Sequence, residues 1–364
     1  MPSTRSPLAR PDLADVGIYE TGKMATPINL ADNTNLWGPA PNALRAYREA
    51  AADALSNYPS PYGERLKEAA ARYTGLPVEC VATGNGSNDL LDSSIRAFAR
   101  PGDLFVCLDP TFGMARAFAR LNGLQVAGVP GLPGGRLDLD RLLQAAPRIL
   151  YLVAPNNPTG ALASRADLDA AISRCPGLAI VDEAYFEYAG ATVADLVPSA
   201  ERLVVTRTLS KAFGLAGLRI GFALAAPGLV REIERSRGPY TLTAAAERAG
   251  AAALTQDLEW VRERVREAVE ARDRLAAALR RVDGLVVHPS ATNFLLLSAH
   301  PGGRPITELA DRLGAAGIEV RRFERLTGIG DAVRITVGPW PVMERLLAAL
   351  GRPETVGATE SGRR

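Results

Sequence analysis

From about residue 42 the chain alternates between short apolar runs and amphipathic stretches. The runs Val78–Ala82, Leu104–Leu108, Gln125–Val129, Ile149–Val153, Leu178–Val181, Leu203–Thr206 and Ile220–Ala223 are mostly continuous rather than alternating. That is the pattern of strands covered on both faces. Helical stretches lie between several of them, which predicts an α/β layout around a largely parallel sheet. Leu258–Val282 reads as one long helix with Val261, Val265 and Val269 on a single stripe. Beyond it, strands are expected near Leu285–Val287, Asn293–Leu297, Val320–Phe323 and Val333–Val337, with helices at about Ile306–Ala316 and Pro341–Leu350. This second set predicts a smaller α+β domain. Residues 1–40 are rich in Pro, Asn and Asp and read as an extended arm contributing to that smaller domain. The expected boundaries are an arm at 1–40, a large domain at 41–255, a small domain at 256–352 and a polar, disordered tail at 353–364. No internal repeat is visible.

Composition narrows the function. The 364 residues suit one large domain plus a smaller one. A net charge of +2, with basic residues spread along the chain, gives no support for nucleic acid or a membrane surface. No apolar run approaches the roughly 20 residues of a membrane span. The start of the chain lacks the apolar core of a secretory signal. The three cysteines, Cys80, Cys107 and Cys175, have no close spacing and fit a reducing cytoplasm better than a disulfide framework or a zinc site. With only His288 and His300, a Ser-His-Asp hydrolase has little material.

The basic residues carry a stronger signal. Of the 42, only Lys23, Lys67 and Lys211 are lysine. Arginine stays protonated and cannot form a Schiff base, whereas a buried lysine can lose its proton and attack a carbonyl. Lys67 lies in a polar helical pattern and Lys23 in the arm. Lys211 alone follows a strand and opens a Gly-rich turn.

In an open α/β sheet, ligands bind beyond the C-terminal strand ends. After the first strand comes Thr83–Asp89, with a helix expected from near Leu90. Its glycines and the helix start make a phosphate cradle. An ordinary turn would read the same way in isolation, and the third glycine of a dinucleotide fingerprint is missing. After the second strand, Phe112 is placed to stack on a planar ring or to join the core. After the fourth comes the turn Pro155–Gly160 with its two amides, Asn156 and Asn157. Asp182 ends the fifth strand, where an unpaired acid would be costly and a protonated pyridine nitrogen is a suitable partner. Ser210, Lys211 and Arg219 then supply a hydroxyl, an amine and a guanidinium around one loop.

Together these segments resemble the fold-type-I pyridoxal-phosphate aminotransferases, and among them the histidinol-phosphate aminotransferases. The stretch from Thr208 to Phe222 is very close to that family, and Pro155–Gly160 and Asp182–Tyr185 match at the expected spacing. Asn57–Pro59, Pro110–Phe112, Pro239–Tyr240, Thr292–Phe294 and Arg334–Gly338 extend the match over nearly the whole chain. The resemblance implies a large domain with a mostly parallel seven-stranded sheet, and pyridoxal 5'-phosphate as cofactor. It implies that Lys211 holds the cofactor covalently and shuttles a proton, that Asp182 pairs with the ring nitrogen, and that Asn157 and Tyr185 bind the phenolic oxygen. Phe112 would stack on the ring. Gly86, Ser87, Asn88, Ser210 and Arg219 would hold the phosphate, with Tyr58 reaching it from the second subunit of a homodimer. Arg334 would take the anionic end of the substrate and Arg321 would assist with a substrate phosphate.

The chain departs from the family around the substrate. The phosphate loop reads Gly86-Ser87-Asn88-Asp89 where Gly-Ser-Asp-Glu is usual. The arm motif is Asn33-Thr34-Asn35-Leu36-Trp37-Gly38, with Trp37 in place of a tyrosine, and Arg322-Phe323 follows Arg321 where proline is common. An indole N–H donates one hydrogen bond but cannot copy a phenol. The expected reaction is transamination between a histidinol-phosphate-like or aromatic amino donor and 2-oxoglutarate, both small molecules. Alternatives are an aminotransferase of a specialised pathway, a decarboxylase resembling threonine-phosphate decarboxylase, and a non-catalytic relative. Ser210 before Lys211 favours the transaminases over the decarboxylases, which more often carry threonine there. The intact Lys211, Asp182 and Arg219 argue against a non-catalytic relative.

Overall fold

The apolar runs become strands whose alternate residues feed two different cores. Our computed structural model describes residues 26–50 and 56–351, together with Leu8, Arg10, Val16 and Gly17. The expected tail and most of the arm lie outside the described residues. In the strand Ile149–Val153 (β5), Ile149, Tyr151 and Val153 join one cluster, while Leu150 and Leu152 join the other. Both faces of the sheet are therefore dry at β5, and this run must be apolar throughout, whereas the edge strand Gln125–Pro130 exposes Gln125 and Gly128.

Seven strands form this larger sheet: Val81–Asn85 (β2), Leu104–Asp109 (β3), Gln125–Pro130 (β4), β5, Leu178–Asp182 (β6), Leu203–Thr208 (β7) and Ile220–Ala225 (β8). Their order is β2-β8-β7-β6-β5-β3-β4, and only β8 runs antiparallel to its neighbours. The expected mostly parallel seven-stranded sheet is thus present. The first strand is displaced from its expected place: Val78–Cys80 forms a 3-10 turn closed by the Cys80 N–H donating to the Pro77 carbonyl at 3.0 Å, and the strand starts at Val81. Pro77 starts that turn with its φ at −57°. The helix Gly86–Phe98 covers one face with Leu90, Leu91 and Ile95.

A second sheet has the order β1-β11-β12-β10-β9, built from Ile28–Leu30 (β1), Leu285–Val287 (β9), Phe294–Ala299 (β10), Ile318–Leu326 (β11) and Gly330–Thr336 (β12). β1 belongs to the arm, which the sequence reading left as irregular. It pairs parallel with β11, Ile28 opposite Ile318, and buries Ile28 and Leu30 in the second core. The helices Ile306–Ala315 and Trp340–Ala349 cover this sheet. The long helix, Leu258–Leu279, joins the two layers: Val261 packs into the first core, while Ala271, Leu275 and Leu279 pack into the second. It stops three residues short of the expected Val282, ahead of a turn in which Gly284 takes φ +78°.

Candidate active site

The first-turn amides after β2 are available because the helix begins at Gly86, not near Leu90 as the sequence suggested. Asp89 makes the early start possible. Its carboxylate reaches back to accept the Asn85 N–H at 3.0 Å and is held by buried Arg237 at 2.9 Å. Gly86 has φ +76°, and a Cβ there would lie 2.7 Å from Nη2 of Arg219. A Cβ on Gly221 would meet the Ser87 amide nitrogen at 2.4 Å. Only glycines allow β8 and the helix start to approach so closely. Arg219, itself at φ +52°, donates from Nη1 to Ser210 Oγ at 3.4 Å and to the Ala216 carbonyl at 3.2 Å. Thr208 Oγ1 orients Ser210 Oγ at 2.9 Å. Gly86, Ser87, Ser210 and Arg219 thus form one cluster, a helix N-terminus with a guanidinium and a hydroxyl beside it, suited to a phosphate. Asn88 lies partly buried in the same first turn.

Asp182 closes β6 and is buried. One oxygen accepts the Ala184 N–H at 3.0 Å and the other the Tyr151 hydroxyl at 2.9 Å. Burial pushes its carboxyl above the ordinary carboxylate range, and the bonds from Tyr151 and Ala184 pull the other way. Phe112 sits partly buried at the end of β3, at the start of the helix Gly113–Leu121.

Lys211 donates from Nζ to the Asp32 carbonyl at 3.1 Å and lies 6.0 Å from the centre of the Tyr185 ring. Burial, the Arg334 guanidinium and Arg219 push its amine down to about 8, against the pull of Asp32 and Asp182. The amine therefore gives up its proton far more readily than an exposed lysine does. Buried Tyr185 accepts the Asn33 side-chain N–H at 2.8 Å and meets Phe294 edge-on at 5.3 Å. Asn157 accepts from Arg334 Nη1 at 2.5 Å, and Arg334 Nη2 donates to the Ala31 carbonyl at 2.6 Å. The guanidinium lies 5.2 Å from the Phe294 ring centre and 5.6 Å from that of Phe323, in a largely apolar setting that strengthens its hold on an anion.

Arg321 sits opposite Arg334 in the β11–β12 ladder. Trp37 is tied to the lysine loop through Asn35, which accepts the Trp37 N–H at 2.9 Å and donates to the Ala212 carbonyl at 2.8 Å. Tyr58 faces outward rather than into this group. It is 85% exposed and stacks on Tyr240 at 4.9 Å. Its loop is fixed from below, where Ser60 Oγ donates to buried Glu247 at 2.8 Å.

Beside Asn33 of the arm motif, several contributors carry little signal in the sequence. Ala31, Asp32 and Asn33 touch Arg334, Lys211 and Tyr185 in turn. Behind Tyr185, Glu183 and Arg207 form a buried pair at 2.9 Å, with the guanidinium 3.7 Å from the Phe186 ring centre. Tyr151 carried one usable signal, since a tyrosine inside an otherwise aliphatic strand needs a partner for its hydroxyl.

Known proteins match this architecture. The family described as aminotransferase class I and II matches residues 25–350. A histidinol-phosphate aminotransferase from Roseiflexus castenholzii is 39% identical over 358 residues, covering 93% of this chain and 96% of that protein. One from Symbiobacterium thermophilum is 38% identical over 332 residues, 89% of each chain. The crystal structure of histidinol-phosphate aminotransferase from Sinorhizobium meliloti, in complex with pyridoxal-5'-phosphate, superposes with a TM-score of 0.86 at 27% identity, covering 95% of this chain and 97% of that one.

Proposed function

Because the chain belongs to the class I and II aminotransferases, we propose that it transfers an amino group from a donor of the histidinol-phosphate or aromatic amino acid type to 2-oxoglutarate. Pyridoxal 5'-phosphate is the cofactor this site suits, and when bound it supplies a reactive carbonyl and a protonated ring that draws electron density from the substrate. The donor set fits it: an anion cluster at Gly86–Asn88, Ser210 and Arg219, a buried acid, and a lysine of lowered basicity stand at successive strand ends.

The convergence of Lys211, Asp182, Asn157, Tyr185 and Arg334 carries this reading. Lys211 would hold the cofactor covalently, and its Nζ is the base placed to move a proton to and from the substrate's Cα. Asp182 would pair as a carboxylate with the protonated ring nitrogen. Asn157 and Tyr185 would bind the ring's oxygen, Phe112 would stack on the ring, and Gly86, Ser87, Asn88, Ser210 and Arg219 would hold the phosphate. Arg334 grips the carboxylate of donor and acceptor in turn. Arg321 and Trp37 stand where a second anionic group or an aromatic side chain is distinguished. Tyr58, directed outward on a fixed loop, completes the phosphate site of a second copy in a homodimer. Among the described residues, no helix is long and apolar enough to cross a membrane.

A screen of amino donors against 2-oxoglutarate, with histidinol phosphate and the aromatic amino acids included, tests the reading. Glutamate formation with one of them supports it. Carbon dioxide release from a phosphorylated amino acid, without glutamate, points to a decarboxylase and overturns it.

A further inference from the structure

The strand register brings one more group to the acid at the end of β6. β5 and β6 run parallel with Tyr151 opposite Ile180 and Val153 opposite Asp182. With a period of two, Ile149, Tyr151 and Val153 share a face with Leu178, Ile180 and Asp182. The Tyr151 side chain leans along the strand and places its hydroxyl 2.9 Å from Asp182 Oδ2. Its ring stacks on Phe105 at 5.8 Å, and none of the side chain meets solvent. The Ala184 N–H serves Oδ1 at 3.0 Å, and the Thr206 hydroxyl adds a weaker pull in the same direction. Glu183 and Lys211 are the other ionisable groups that act on this carboxylate, and Cys107 and Tyr185 act on the Tyr151 hydroxyl.

We infer that Tyr151 is a positioning residue that fixes the proton shared between Asp182 and the cofactor's ring nitrogen on the nitrogen. This rests on the reading that Asp182 faces that nitrogen. A carboxylate that accepts a phenolic hydrogen bond is less basic, so in a close N–H···O pair the proton stays on nitrogen. Without the hydroxyl, the buried carboxylate competes better for the proton and the ring becomes a weaker electron acceptor. A tyrosine kept only for packing would leave the proton where it is.

The test uses the holoenzyme reconstituted with cofactor labelled with 15N in the ring. Tyr151→Phe keeps the aromatic ring against Phe105 and removes only the hydroxyl. Its 15N resonance is expected to move from the pyridinium position toward neutral pyridine, a roughly tenfold change in proton partition for one hydrogen bond to a charged group. Turnover should fall by a similar factor with KM unchanged. Asp182→Asn, measured in parallel, should give the fully neutral position. If Asp182→Asn shifts the resonance and Tyr151→Phe does not, the role of Tyr151 is refuted while that of Asp182 stands. If neither shifts it, the placement of Asp182 against the nitrogen is wrong and the role of Tyr151 falls with it.

Discussion

Replacing Lys211 by methionine should make the cofactor-free protein more stable at neutral pH. The amine is pushed down from 10.5 to about 8 by burial and by Arg334. At about 1.4 kcal/mol per pH unit, carrying the proton inside the fold costs about 3 kcal/mol relative to the unfolded chain. The folded value lies below the unfolded one, so the unfolded chain binds more protons between about 8 and 10.5. Stability of the unsubstituted protein therefore rises with pH across that window, and the cost is fully present below it. Methionine fills the space without a charge. It also gives up the bond to the Asp32 carbonyl, worth about 1 kcal/mol. The variant should thus be about 2 kcal/mol more stable at pH 7 and should lose that advantage by pH 10.5. Urea unfolding of both cofactor-free proteins, at matched concentration and several pH values, measures the difference. A difference that stays flat from pH 7 to 10.5 would refute the argument, as would an unsubstituted protein that is the more stable at pH 7.

Three further outcomes are expected. Gly86→Ala places a methyl against Arg219 and strains a residue at φ +76°; affinity for pyridoxal 5'-phosphate should drop at least about tenfold, and for pyridoxal much less, in equilibrium dialysis. Arg334→Lys cannot reproduce a two-pronged grip, so KM should rise about tenfold or more for donor and 2-oxo acid alike, and a rise for only one would show that separate groups bind them. Mixing Tyr58→Phe with Lys211→Ala should generate hybrids carrying one intact site, so activity should appear on mixing two weak variants; none would appear if each site were complete within one chain.

The sequence exposed what is local. Continuous apolar runs located the strands of the larger sheet, and the residues just past their ends supplied most of the candidate site. The scarcity of lysine singled out Lys211 before any geometry was known. What stayed hidden depends on partners distant in sequence. Ile28-Asn29-Leu30 is too short to read as a strand until Ile318 lies beside it. Tyr151 looks like a core residue until parallel register sets its hydroxyl against Asp182. The helix start at Gly86 depends on an Asp89 carboxylate held by Arg237, 148 residues away. Tyr58 is a different case, because its expected ligand belongs to another copy of the chain.

The arm also fixes when this site can exist. Asn33 and Ala31 meet Thr336 and Arg334 across 303 residues of sequence, and Asp32 meets Lys211 across 179. During synthesis, β2 to β8 can pair and the cluster around Gly86, Ser210 and Arg219 can assemble while the earlier segment Ala31–Asn33 still waits for Arg334 and Thr336. Ala31, whose carbonyl holds Arg334, leaves the ribosome 303 residues before Arg334 does. Long-range pairing of this kind closes late, because the loop entropy is spent before any contact repays it. A chain interrupted before β11 can therefore form the cluster of Gly86, Ser210 and Arg219 and still lack the guanidinium of Arg334 that the proposed substrate site requires.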